Sequence, residues 1–469
     1  MKTTLLTSAF LIIILSTKSQ VTFQKTYGGN GYDFGLSVQQ TTDEGYILFG
    51  STNSFSNGSQ DMYLIKTDYL GNELWSQTYG GPDWEFGISA QQTTDGGYIL
   101  CGAYSGVSDD TLTMIKTDQN GNEIWNKRYS GTVDRDVGQF VQQTSDGGFL
   151  AVGFTGPSFN EHIYMVKTDF NGNKEWSQVH ESNGREYAVG VRETVDGGYI
   201  LVGQTNNTPT GSTNMLLTKT DSAGDILWSK TFGTSSDEIG RSIYITDDNG
   251  FIILGYEDFA GGNLYLVKTD FLGIEEWSKY YGETGWDIGH SVQQTSDGGY
   301  ILAGRKQDTV SGENHMYSIK TDPIGNVEWE YTYPNGIMSD ASSLDQTSDG
   351  GYILLGSSLD TTGVNNTDFY LVKTNGIGYA SIDYKEIQSL KVNAYPNPFT
   401  EYTTIELNDT RYPEFSASLI NSNGQVVKPT LKSKEGKVKI EREGLTSGLY
   451  YFKLTSKGQP LASGKLILE

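Results

Sequence analysis

Few side chains in this sequence have the type and spacing that chemistry requires. Six acids, Asp33, Glu85, Asp136, Glu186, Glu238 and Asp287, hold equivalent places along a repeating pattern, and Ser339 stands at the seventh. Carboxylates ringed around an axis would offer the oxygen ligands that calcium prefers. The simpler reading satisfies each acid within its own repeat, through a lysine or a loop N–H. Ser339 favours that reading, so no metal or other cofactor is expected. His162, His180, His290 and His315 read as scattered over different repeats, without metal-ligand spacing. No Gly-x-Ser-x-Gly, phosphate-binding loop or Cys-His pairing is present. His290 with Asp287 would make an acid–base pair, and a channel-lining histidine is the plainer alternative. No catalytic constellation emerges, and an enzyme is not expected.

Binding has better material. The residue before each acid is Tyr32, Trp84, Arg135, Arg185, Asp237, Trp286 and Met338 in turn. A few residues after it come Leu36, Ile88, Gln139, Val189, Arg241, His290 and Ser342. These positions diverge while their surroundings repeat. Exposed rings beside arginines suit stacking on sugars or gripping a partner protein. Tyr32, Trp84, Arg135, Arg185, Arg241, Trp286 and His290 are therefore the candidate ligand-binding residues. The bland alternative is that the rings only fill gaps between loops.

The element that must position them is a short repeat. Asp43, Asp95, Asp146, Asp196, Asp248, Asp297 and Asp349 mark its seven copies, spaced 52, 51, 50, 52, 49 and 52 residues. Each copy reads as four strands. In the first, strand a is 33–40 and a Thr-x-Asp-Gly-Gly-type turn follows, its glycines suited to positive φ. Strand b is 46–49, apolar on both faces, and strand c is 62–67. An Asp68-x-x-Gly71 turn leads to the alternating strand d, 74–79. Trp75, Trp125, Trp176, Trp228, Trp277 and Trp329 hold one place in strand d, as knobs that pack sheet on sheet. The seventh copy lacks strand d, and Phe23-Gln24-Lys25-Thr26-Tyr27 matches it at the other end of the chain. The expected fold is all-β: a seven-bladed propeller over 21–378, closed by its N-terminal strand. The Asp-x-x-Gly-x-x-x-Trp hairpin resembles the tryptophan-docking repeat of quinoprotein-like propellers and the Asp-box of sialidases. Both resemblances span about ten residues per repeat; they imply the fold, and no quinone or hydrolase.

Net charge is −24, which repels phosphate backbones and argues against nucleic acid as a partner. Residues 1–20 carry Lys2 and an apolar run ending at Leu15, which reads as a secretory signal peptide too short to span a bilayer. Cys101, the only cysteine, sits in an apolar strand and excludes an intramolecular disulfide. The period stops near 380; 379–391 reads as a linker. Residues 392–469 carry ten Lys or Arg and eight Asp or Glu, so the acidity lies in the repeats. Their alternating segments suggest a small Ig-like β-sandwich. Tyr395-Pro396-Asn397-Pro398-Phe399, Asn421-Ser422-Asn423-Gly424-Gln425-Val426-Val427 and Ser447-Gly448-Leu449-Tyr450-Tyr451-Phe452 follow in order. In this the tail resembles the type A C-terminal sorting domain of type IX secretion, although Glu469 stands where a second lysine is common. The resemblance implies export across the outer membrane, contact with that machinery, and then release or attachment at the surface. Asp110-Thr111-Leu112 and Asp308-Thr309-Val310 resemble O-glycosylation acceptors of such proteins. The expected protein is a secreted or surface-attached monomer that binds glycans or proteins. A carbohydrate-active enzyme and a purely structural surface protein are the alternatives.

Overall fold

The computed structural model describes residues 22–469 apart from 107–109, 132–134, 209–211, 259–261, 284, 360–365, 381–391, 408–413, 422–425, 435 and 457–458. The expected signal peptide (1–20), most of the linker and Asn423-Gly424-Gln425 of the tail lie outside the described residues. Every element among the described residues is a β-strand, and the chain divides into two compact units, Met1–Ile382 and Asp383–Glu469.

In the first unit each repeat folds as an antiparallel sheet of four strands in sequence order. The first is Asp33–Gln40 (strand a), Tyr46–Thr52 (b), Asp61–Thr67 (c) and Glu73–Tyr79 (d). Four further sheets of this order follow, over 84–129, 135–180, 186–232 and 238–281. The sixth repeat contributes Ile288–Gln294, Tyr300–Gln307, Asn314–Thr321 and Val327–Tyr333. In the seventh, strand a is broken into Met338–Ser339 and Ser343–Gln346, and a single parallel bridge from Asn314 to Met338 joins it to the sixth. Its fourth strand comes from the other end of the chain. Phe23–Tyr27 runs antiparallel to Thr367–Thr374, with Phe23 opposite Lys373 and Tyr27 opposite Phe369.

Apolar clusters lie between successive repeats, as expected for strands buried on both faces. One combines Phe49, Met62 and Tyr79 of the first repeat with Tyr98 and Leu100 of the second. The pattern continues round the chain, and another cluster joins the last repeat to the first through Phe23, Tyr27, Tyr46, Leu48, Leu355 and Phe369. Strand d docks each sheet on the next. Trp75 meets Tyr98 with ring centroids 6.0 Å apart, and the Tyr79 hydroxyl donates to the Gly121 carbonyl at 2.6 Å. The N-terminal strand repeats this geometry on the first sheet: Phe23 meets Tyr46 at 6.1 Å and the Tyr27 hydroxyl donates to Gly71 O at 2.6 Å. Closure therefore uses the same contacts that stack every other pair. The strand-d tryptophans are half-buried, because only one side of this outer strand is covered.

The turn between strands a and b carries a buried charge. Each strand-c lysine pairs with the turn aspartate of its repeat: Asp43–Lys66, Asp95–Lys116, Asp146–Lys167, Asp196–Lys219, Asp248–Lys268, Asp297–Lys320 and Asp349–Lys373, at 2.7–3.0 Å. Lys116 Nζ also donates to its neighbour's carbonyl, Thr117 O, at 2.8 Å. Burial pushes the aspartates up, but the threonine hydroxyl, the lysine and a glycine N–H overcome it and bring Asp196 and Asp248 down to about 2.

The two turn glycines have different jobs, which corrects the expectation that both supply positive φ. Only the first does: Gly96 has φ +84°, and Glu44 and Asn249 take this place at +69° and +63°. The second makes room for the lysine. A Cβ on Gly97 would lie 2.1 Å from Thr117 O and 2.6 Å from Lys116 Nζ, while one on Gly96 would meet nothing within 4 Å. Gly97→Ala is therefore expected to cost about 2–3 kcal/mol and Gly96→Ala about 1 kcal/mol, read as denaturant midpoints. Equal losses would refute the assignment.

A second correction concerns the histidines. His162 and His180 lie on adjacent strands of one sheet, with His180 opposite Ile163. Cys101 is buried and free, and burial raises its thiol to about 12.

The second unit has two sheets. One contains Val392–Tyr395, Tyr402–Leu407 and Lys437–Glu441; the other contains Val426–Lys432, Ser416–Asn421, Gly448–Ser456 and Gln459–Leu468 in that spatial order. Phe399, Ile405, Leu419, Ile440, Phe452 and Leu466 are among its core residues. The opening motif is fixed to the closing strand. Asn397 Nδ2 donates to Lys465 O at 2.9 Å, and its Oδ1 accepts from Ile467 N at 2.8 Å.

Candidate functional site

The acids at the start of strand a are structural. Asp33 accepts from the Thr52 hydroxyl, from the Ser54 hydroxyl at 2.7 Å and from Gly29 N at 2.8 Å. Asp287 accepts from Glu283 N and Gln307 N at 3.1 and 2.9 Å, and Glu238 from Thr234 N at 2.9 Å. Loop N–H groups and hydroxyls thus engage them, although Glu238 Oε2 is buried without a partner, while the lysines serve the turn aspartates. Ser339 in the seventh repeat does a related job, accepting from Met316 N at 3.0 Å. Among the described residues no group of acids, histidines or cysteine is placed to hold a metal ion.

The residues before these acids stand on the rim. Tyr32, Trp84 and Trp286 are 41%, 49% and 42% exposed. In the first two repeats the ring lies flat on the residue just after the acid. Tyr32 stacks on Phe34 with centroids 6.3 Å apart and planes 3° apart, and Trp84 on Phe86 at 5.9 Å and 21°. Flanking residues at i and i+2 share one side of a strand, so the arrangement follows from period 2. Trp286 lies beside the backbone of Gly262. Arg135 and Arg185 are partly engaged: they pair with Asp110 at 2.8 Å and Glu161 at 2.9 Å of the preceding repeat, and lie over Phe154 and Tyr187 at 5.7 and 5.0 Å.

Arg241 and His290 are elsewhere, in an axial channel of about 570 Å³. The reason is a bulge that recurs in strand a. Gly35 pairs with Gly50 and Ser37 with Phe49, leaving Leu36 unpaired; the same shift leaves out Ile88, Gln139, Val189, Arg241 and His290. A bulge re-aims the extra side chain. All of these residues, and Ser342 in the broken strand of the seventh repeat, line the channel. They are free to vary because no pairing in their own sheet depends on them. His290 is held neutral, its imidazole lowered to about 3 by enclosure and by the Arg241 and Arg305 charges.

Arg192, Asp340, Asp345 and Tyr244 also line this channel, and the candidate set omits them. A signal for three of them exists in the Gln-Gln pair that ends strand a. Gln39 accepts from Gln92 N at 2.8 Å, Gln91 from Gln143 N at 2.7 Å, and Gln293 from Gln346 N at 2.8 Å, stitching neighbouring repeats. Arg192, Tyr244 and Asp345 replace the first glutamine of the pair. Asp345 keeps the stitch, accepting from Gln40 N at 3.0 Å. Arg192 cannot accept; it donates to Val191 O at 2.8 Å and lies over the Phe140 ring at 4.7 Å. Burial lowers its guanidinium to about 10, so it stays charged at neutral pH.

Residues 393–469 match the family described as the secretion system C-terminal sorting domain. This tail directs export by type IX secretion to the cell surface or the extracellular space. No helix among the described residues is long and apolar enough to cross a membrane. No curated protein matches the chain in sequence. Among solved structures, the Pan2 WD40 domain of Neurospora crassa is 12% identical, with TM-score 0.46 over 77% of this chain and 97% of its own. A protein of unknown function from Dyadobacter fermentans is 10% identical, with TM-score 0.45 over 76% and 98%. Puromycin hydrolase is 12% identical, with TM-score 0.45 over 81% of this chain and 62% of its own.

Proposed function

We propose that this exported chain is a binding module that holds glycans against the aromatic part of its rim. The observation that carries the reading is the pair of stacked rings, Tyr32 on Phe34 and Trp84 on Phe86, at equivalent places of adjacent repeats. A core has no use for rings left this open to water. Two planar surfaces already fixed by stacking lose little conformational freedom when a sugar ring lies on them. The outward strand-d knobs differ, because each is engaged by the next sheet. Trp286 extends the rim toward the fifth and sixth repeats, and the engaged Arg135 and Arg185 border it on the other side. The chain works as a monomer without a cofactor and without catalysis. Residues 1–20 serve as the removed leader, 379–391 as linker, and 392–469 as the segment that meets the secretion machinery.

The test is a glycan array probed with the mature chain, its Trp84→Ala variant and its Trp286→Ala variant. Binding by the wild type, weakened roughly tenfold by Trp84→Ala, is the expected result, about the worth of one good aromatic contact. A silent array with capture of an extracellular protein through Trp84 would replace glycan by protein. Release of product from any arrayed glycan would replace the module by an enzyme.

A further inference from the structure

We infer that the axial channel is an anion site, which takes the carboxylate or sulfate of an acidic sugar on Arg241, with Arg305 and Arg192 beside it. The inference rests on the glycan reading of the rim and narrows its ligand class. The chain is strongly acidic, at −24, yet two of the six arginines before residue 383 line this channel and the charge of a third reaches it. Arg192 and Arg241 line the channel, and the Arg305 charge acts on both His290 and Asp340, which line it too.

Among the described residues no ion pair joins Arg192, Arg241 or Arg305 to a carboxylate. The Nε atoms of Arg241 and Arg305 are buried and have no hydrogen-bond partner among the described residues. Arg241 spends one nitrogen on the Tyr256 hydroxyl, at 3.1 Å, with its guanidinium 5.5 Å from that ring. Buried donors are ordinarily paired, so an idle guanidinium edge calls for an acceptor. Two acids share the channel. Asp345 is taken up by Gln40 N, and Asp340 accepts from Ser357 N at 3.1 Å. Burial raises both carboxyls. His290 adds no charge.

The lining also has apolar side chains, Leu36, Ile88 and Val189. A ligand that fits carries a negative group together with apolar surface, as a sugar acid does. The volume, about 570 Å³, is in the range of small-ligand sites. Guanidinium forks match carboxylate and sulfate alike, so geometry alone names the shared chemistry.

The experiment is ligand-observed NMR on the full chain with glucuronate, glucose 6-sulfate and glucose. Both anions should bind, glucose roughly tenfold or more weakly, and 0.5 M salt should narrow the gap. The tighter anion identifies the natural substituent. Arg241→Gln should abolish the preference, and Arg305→Gln should reduce it, each with an unchanged melting temperature. If either variant unfolds, the wild-type comparison of glucuronate with glucose decides alone. Equal binding of glucose and glucuronate would overturn the inference. Silence of all three sugars with a positive array also overturns it and leaves the rim reading intact. A silent array with bound glucuronate upholds the channel and removes the rim.

Discussion

Deleting residues 22–29 should lower the melting temperature of the mature chain by on the order of 10 °C. The segment supplies a whole strand, paired from Phe23–Lys373 to Tyr27–Phe369, and two buried rings at the junction of the last and first sheets. Replacing one such aromatic by alanine costs about 3–5 kcal/mol. Removing the strand also bares the edge of Thr367–Thr374, an invitation to pair with another chain. A second readout follows: the truncated protein should form dimers or larger species as concentration rises. Phe23→Ala should produce part of the thermal loss without the association, because the edge stays covered. An unchanged melting temperature after deletion would mean that the ring does not depend on its first strand.

The turn ion pairs should break asymmetrically. Lys116 is fully buried and Asp95 is 39% exposed, at 3.0 Å. Removing the aspartate strands an ammonium inside the sheet, and uncompensated buried charges cost about 3–5 kcal/mol. Removing the lysine leaves a carboxylate that water can reach. Lys116→Met, which keeps the stem's packing, should therefore cost only about 1 kcal/mol, as for a partly exposed pair. Asp95→Ala should cost several times more, and adding Lys116→Met to it should restore stability. Denaturant midpoints of the three variants check this order. If both single losses are equal, the pair behaves as a surface contact and the glycine at 97 needs another explanation.

The parts legible in the sequence are those that every copy shares. Trp75 and its equivalents, the turn aspartates and the strand-c lysines recur without reference to anything distant. Closure was legible for the same reason, since Phe23 to Tyr27 matches the missing strand residue by residue. Two things were not. The lysine–aspartate pairing joins positions about twenty residues apart across strands b and c, while the acids of strand a compete as partners on paper. Only register decides between them. The channel was hidden by a bulge: period 2 places Leu36 and Arg241 on a sheet face, and one extra residue turns them toward the axis. Arg192 is harder to see, because it marks itself only as a break in the Gln-Gln pair that ends strand a in other repeats. The tail declared itself through its motifs, but only the fold shows Asn397 gripping Lys465 and Ile467, the two ends of the signal held together.

Shared side chains build the ring, and ligand contact is proposed for the divergent ones. The sharpest check compares two tryptophans, Trp84→Ala on the rim and Trp125→Ala in strand d, by glycan affinity and melting temperature together. Trp84 should lose affinity with the melting temperature held, and Trp125, which packs on Phe149 at 5.9 Å, should lose several degrees with affinity held. The reverse assignment, or a common fall in stability for both, would contradict the division of labour between scaffold and site.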